Sequence, residues 1–154
     1  MKKYKLLSKT DLMDYYFCKK NLWLIKNKNF SKKDLSPGEK FRIEQGYKFE
    51  KEARKLFKDG KLVEGRNILE KITNTKLLME KENIIFQPVI EYDGYIVISD
   101  VIIRNNDSWE LYEMKSNTEI KRDNLKIKNK TNHIKDLAYQ YNVLDKADIK
   151  ISKI

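Results

Sequence analysis

The spacing of apolar residues changes character along the chain, from helical in the first half to alternating in the second. Ser8-Lys9-Thr10-Asp11 reads as a helix start, with Ser8 as cap and Asp11 three residues on. Leu12, Tyr15, Tyr16, Cys18, Leu22 and Trp23 then recur at helical intervals and predict a helix to about Leu24. Residues 26–35 are polar and Lys/Asn-rich and predict a loop. Ser36-Pro37-Gly38-Glu39 opens a second helix, carried by Phe41, Ile43, Tyr47, Phe49, Ala53, Leu56 and Phe57 until Asp59-Gly60 stops it. A short strand fits Lys61–Glu64. The stretch Asn67–Glu82 reads as one helix or as a strand with a turn at Thr73-Asn74-Thr75.

From Ile84 the pattern is different. Ile84–Tyr92, Tyr95–Arg104 and Ser108–Met114 are rich in Ile, Val and aromatic residues, and Asp93-Gly94 between the first two is a hairpin turn. Asn105-Asn106-Asp107 is a second turn, so the three runs form an antiparallel meander. A Lys/Asn-rich connection over 116–131 leads to a helix over Asn132–Lys146, with Ile134, Leu137, Ala138, Tyr141 and Leu144 on one face. Ile149, Ile151 and Ile154 alternate as a last strand. The order of elements predicts a mixed α/β or α+β domain.

Composition adds bounds. The 154 residues suit one domain, and no apolar run is long enough to span a membrane. No signal-peptide pattern follows the basic N-terminus, so a cytoplasmic address is expected. One cysteine, Cys18, excludes an internal disulfide framework. The net charge of +10 suggests an anionic partner, nucleic acid first. Against that, 28 of the 33 basic residues are Lys, which AT-rich codon usage supplies on any solvated surface. The distribution is more telling. Residues 1–33 carry a net +8 and 115–135 a net +5, around a middle of −3. Phosphate binding by counterion release needs such clustering.

The acidic middle holds the candidate chemistry. Asp100 interrupts an apolar strand, where a carboxylate is costly unless paired or metal-bound. With Asn106-Asp107 as the hairpin loop, Asp100 lies opposite Glu113, roughly 5 Å away at the side-chain base. Alternation puts Glu113 and Lys115 on the same face. Two carboxylates so close repel unless a cation lies between them, and Mg²⁺ or Mn²⁺ favours such oxygen donors. A nearby Lys would offset charge building on a phosphate. The rival is a plain salt bridge between Glu113 and Lys115. Spacing alone decides nothing, because an acidic residue two before a Lys also occurs at Asp59, Glu119 and Asp148.

These residues, with others in order along nearly the whole chain, resemble the PD-(D/E)xK nuclease superfamily. The resemblance is to its RecB-like branch, which includes the CRISPR-associated RecB-like exonucleases and a related bacterial family. The pieces are Leu7-Ser8-Lys9-Thr10-Asp11-Leu12 with Cys18–Leu24, then Gly46–Glu50 with Ala53-Arg54 and Leu56-Phe57. Ser99–Ile102, Tyr112–Ser116 and Asp136–Tyr141 complete the set. The resemblance implies a mixed α+β, restriction-endonuclease-like core, a central mixed sheet that holds the antiparallel meander and is flanked by helices, which hydrolyses DNA phosphodiesters, with RNA as the alternative polymer. It implies that Asp100 and Glu113 bind the metal near the Met114 carbonyl, with Glu50 at the metal position of the first helix. Lys115 would be the catalytic lysine, and Gln140 would orient it or contact substrate.

The chain departs from that pattern in places. An iron–sulfur cluster of the kind some relatives carry needs four cysteines, and only Cys18 is present, so no cluster is expected within this chain. Lys19 replaces the usual Pro, and Leu144 stands where some relatives have Tyr. The chain is expected to be most of a single nuclease core, ending one strand early. Two other functions fit the same residues: a non-catalytic nucleic-acid-binding module on a degenerate nuclease fold, and a protein-interaction domain. His133 reads as a cap or surface residue, and Trp23 and Trp109 as core.

Overall fold

The computed structural model describes residues 5–27, 34–115 and 130–154, with the side chains of 130–132 left aside. Of the polar loop expected over 26–35, residues 26 and 27 belong to a helix and 28–33 lie outside the described residues; of the connection expected over 116–131, residues 116–129 lie outside them and the last two begin a helix. Among the described residues the order is β1 (Leu7–Ser8), α1 (Lys9–Phe17), α2 (Lys19–Asn27), α3 (Pro37–Ala53) and β2 (Lys61–Leu62). Then come α4 (Ile68–Lys81), β3 (Ile84–Phe86), β4 (Val89–Tyr92), β5 (Tyr95–Ile98), β6 (Val101–Asn105), β7 (Ser108–Tyr112), α5 (Lys130–Lys146) and β8 (Ile151–Lys153). The fold is mixed α+β. No described helix is long and apolar enough to cross a membrane.

Local chemistry sets the helix starts. Ser8 and Asp11 form a reciprocal capping box on α1, and Ser36 and Glu39 form another on α3, with Pro37 in the first turn. Asn67 caps α4 by accepting from the Glu70 N–H at 3.0 Å. The ambiguous stretch is one helix because its turn-like residues bond inward. Thr73 and Thr75 donate to the Leu69 and Lys71 carbonyls, and Thr75 Oγ1 also accepts from the Val89 N–H at 2.8 Å, docking α4 on β4. Asn67→Ala is expected to lower unfolding stability by about 1 kcal/mol in urea melts, since it removes a cap and little packing.

Two expected helices differ. The first breaks at Cys18, whose extended backbone ends α1. That break lets α2 return so that Lys26 Nζ meets Asp11 at 2.8 Å and the Leu6 carbonyl at 2.9 Å. In α3 the apolar residues Phe41, Ile43, Tyr47 and Phe49 are exposed. Their spacing spreads them around the helix axis, so they make no single stripe to bury. Beyond Ala53 the chain tightens into a 3-10 turn over Arg54–Leu56. Trp23 is also exposed, whereas Trp109 lies in the core as expected.

The strands form two sheets rather than one central sheet. One has the order β1-β5-β4, and the other β2-β3-β6-β7-β8 with β2 and β8 parallel to their neighbours. The physical reason is a shared bend in the long hairpin. Gln87 takes a left-handed φ of 50°, and Pro88 offers no N–H to the ladder. Opposite them, Ser99 and Asp100 leave the ladder too. The two arms stay joined there, with the Gln87 N–H donating to Asp100 O at 3.0 Å and the Ser99 N–H to Pro88 O at 3.3 Å. The hairpin thus crosses from one sheet to the other at Asp100. The β6–β7 register pairs Val101 with Tyr112 and Asn105 with Ser108, as the turn at Asn106-Asp107 requires. Helix α5 packs on β4, β5 and β8, and Leu144, Val143 and Tyr139 meet Ile85, Ile102 and Leu111 in the core.

Candidate functional site

Asp100 sits at the bend, and Glu113 just after β7. The register carries Glu113 to the position opposite Asp100, where the Met114 N–H donates to Asp100 Oδ2 at 2.6 Å. Burial raises the Asp100 pKa from 3.8 to about 6, helped by the charges of Glu113 and Glu50; the Met114 N–H and Lys115 oppose the rise only in part. Glu113 and Glu50 therefore both lie within electrostatic reach of Asp100.

Each has protein partners. Glu50 Oε1, on α3, accepts from Arg54 Nη2 at 2.6 Å and from Gln87 Nε2 at 2.8 Å. Gln87 is also the residue whose backbone pairs with Asp100 at the bend, so α3 is tied to the bend through it. The Glu113 side chain is 7% exposed and accepts from Gln140 Nε2 at 2.9 Å. It also pairs with Lys115 and with Lys9, the latter at 3.4 Å. Among the described residues, no group of three His, Cys, Asp or Glu is close enough to hold a metal ion.

The Glu113 end is a closed polar cluster. Asp136, on α5, accepts from Lys9 at 2.8 Å and from Gln140 Nε2 at 2.9 Å, and lies 3.6 Å from Lys115. Burial opposes its charge, but the hydrogen bonds from Lys9 and Gln140 hold its pKa below the ordinary value. Lys9 is partly buried as well, yet Asp136 and Glu113 keep its pKa raised. Two ammonium groups thus face two carboxylates, and Gln140, fully buried, bridges the carboxylates with one amide nitrogen. Gln140 Oε1 and Ser99 Oγ are buried with no hydrogen-bond partner among the described residues, a costly state for a polar atom.

Of the residues singled out from sequence, Glu113, Lys115 and Gln140 stand in direct contact, and Asp100 faces Glu113. Glu50 reaches Asp100 by charge and is held by its own partners. The plain Glu113–Lys115 salt bridge is present too. Lys9 and Asp136 lie within the sequence motifs, but no motif singles out either as a site residue. Asp136 carried one signal, since it precedes Gln140 by four residues and so shares its helix face. Cys18 is a free, exposed thiol. Comparison of the chain with protein-family models, curated proteins and solved structures finds no match.

Proposed function

We propose that this chain is a metal-dependent nuclease domain of RecB-like type on a restriction-endonuclease-like core, hydrolysing DNA phosphodiester bonds. The observation that carries the reading is Asp100 opposite Glu113 at a sheet bend, with Lys115 and Gln140 on Glu113. Asp100 carries repulsion that a divalent cation would relieve, and oxygen donors suit Mg²⁺ or Mn²⁺. The chemistry of the donors fits: Asp100 and Glu113 would hold the ion, and Glu50, which is not close enough as it stands, would have to move in to join them. Such an ion, when bound, polarises a phosphoryl oxygen and acidifies water. Gln140 fixes the Glu113 carboxylate from its buried side. Lys115 and Lys9 supply positive charge where a phosphate would gather negative charge. Lys115 must exchange its contact with Glu113 for the phosphate as substrate arrives.

A second reading, a non-catalytic nucleic-acid-binding module, draws on one observation: every candidate ligand already has a protein partner. Titration calorimetry with Mn²⁺, paired with cleavage assays on single-stranded and duplex DNA, separates the two. The nuclease reading expects Mn²⁺ binding and cleavage, both lost in Glu113→Gln. A folded protein that binds DNA in a salt-sensitive way without taking up Mn²⁺ or cutting would establish the second reading.

A further inference from the structure

Next to the α1–α5 contact, on the face of α5 turned away from Gln140, lies a cleft of about 460 Å³. Its walls are Tyr16 on α1, Tyr92 and Tyr95 at the tip of the β4–β5 hairpin, and Lys135 and Lys146 on α5. Tyr92 and Tyr95 are opposed in register across Asp93-Gly94, so both rings stand on one face of the sheet. Tyr139 and Val143, both buried, form the floor. The Tyr139 hydroxyl is already committed to the Leu7 and Ile96 carbonyls.

The three wall tyrosines are 58%, 43% and 45% exposed, although each has a large apolar ring. Lys135 Nζ lies 4.5 Å from the Tyr16 ring centroid, so a cation stands over that ring. Aromatic faces rimmed by ammonium groups suit one ligand chemistry in particular. A neutral apolar molecule would gain nothing from the lysines, and a bare phosphate nothing from the rings. A nucleotide unit uses both.

The cleft also adjoins the candidate site through two shared helices. On α1, Lys9, Leu12 and Tyr16 share one face, with Lys9 meeting Glu113 and Asp136 at its start and Leu12 and Tyr16 lining the cleft further along. Lys9 and Tyr16 are roughly 10 Å apart along the helix axis, from the helical rise. On α5, Asp136 and Gln140 face the site, while Lys135 and Lys146 face the cleft. A strand whose phosphate met Lys9 and Lys115 would bring a neighbouring base to the tyrosines.

We propose that this cleft is a base-stacking subsite for single-stranded nucleic acid, with Tyr16, Tyr92 and Tyr95 as the platform and Lys135 and Lys146 meeting the flanking phosphates. It rests on the nuclease reading only for the direction of the strand. It names single-stranded substrate, because paired bases bury their faces against one another.

The test is fluorescence anisotropy with a labelled oligodeoxythymidine in EDTA, where metal-dependent cleavage is silent. Tyr16→Ala and Tyr95→Ala are each expected to weaken binding by about fivefold or more, the loss of one stacked base. Tyr16→Phe and Tyr95→Phe are expected to retain wild-type affinity, since the ring face remains. An oligonucleotide with abasic positions should bind the unaltered protein as weakly as the Ala variants bind the full strand, and this arm needs no substitution. Equal affinity for intact and abasic strands, for single strand and duplex, or for wild type and folded Ala variants would overturn the proposal. Anisotropy in EDTA reads this binding whether or not the chain cuts DNA. Stacking without cleavage therefore defeats only the nuclease reading, and cleavage without stacking defeats only the subsite.

Discussion

Asp100→Asn is expected to make the metal-free protein more stable and, at the same time, to abolish metal-dependent cleavage. Its folded pKa of about 6 lies above the ordinary 3.8, so the folded state disfavours the ionised carboxylate. The sign follows from linkage. Stability from the protonated form is complete below pH 3.8 and is lost as pH rises through 6. At pH 7 the group is ionised, partly buried and repelled by Glu113 and Glu50. Asparagine has no charge to desolvate, and its Oδ1 can still accept from the Met114 N–H. Because Asp100 is only partly buried, solvent screening cuts the gain to the order of 1 kcal/mol. For a domain of this length that is about 2–4 °C in melting temperature.

Thermal melts in EDTA from pH 4 to pH 7 read this directly. Wild type and variant should converge towards pH 4, with the variant melting higher at pH 7. Mn²⁺ should raise the melting temperature of wild type and leave the variant unmoved. A variant less stable at pH 7 in EDTA would show Asp100 to be a structural ion-pair partner. Mn²⁺ stabilising both proteins equally would place the ion elsewhere. The expected combination, more stability with less function, is what a carboxylate kept for a ligand should show.

The residues that made Asp100 and Glu113 legible are the turn residues. Asn106-Asp107 sets the hairpin register, and register alone carries Glu113 across from Asp100. The capping pairs Ser8/Asp11 and Ser36/Glu39 likewise place helix starts to the residue, because each motif is local. The bend that splits the sheet was less plain. Pro88 within an apolar run was its signal, yet Ser99-Asp100 across from it looks like continuous strand. Lys9 was out of reach of local pattern. Its partners Glu113 and Asp136 are 104 and 127 residues away, and nothing in Ser8-Lys9-Thr10-Asp11 distinguishes this lysine from its neighbours. The exposed rings of α3 misled for the opposite reason. Apolar content suggested a buried face, and only the angular spread of Phe41, Ile43, Tyr47 and Phe49 argued against one.

Asp136→Ala is expected to cost about 2–3 kcal/mol in urea unfolding at pH 7, the scale of a buried, charge-assisted hydrogen bond. Asp136 is the countercharge that balances Lys9 and Lys115 against Glu113. Without it, Lys9 loses its 2.8 Å partner, and the buried Gln140 amide loses one of its two acceptors. The Asp136 pKa is lowered in the fold, so its stabilisation is complete above the ordinary carboxylate range and is lost as pH falls through the folded value. The gap between wild type and variant should therefore close in acid. Lys9→Met, which keeps the apolar stem, supplies the other corner of a double-mutant cycle with an expected coupling of about 1–2 kcal/mol. The two changes should move Mn²⁺ affinity in opposite directions. Asp136→Ala leaves two ammonium groups around Glu113 alone and weakens uptake. Lys9→Met leaves excess negative charge and tightens it. If the two substitutions add without coupling, the cluster is a solvated surface network. If both shift Mn²⁺ affinity the same way, Glu113 is not the carboxylate the ion meets.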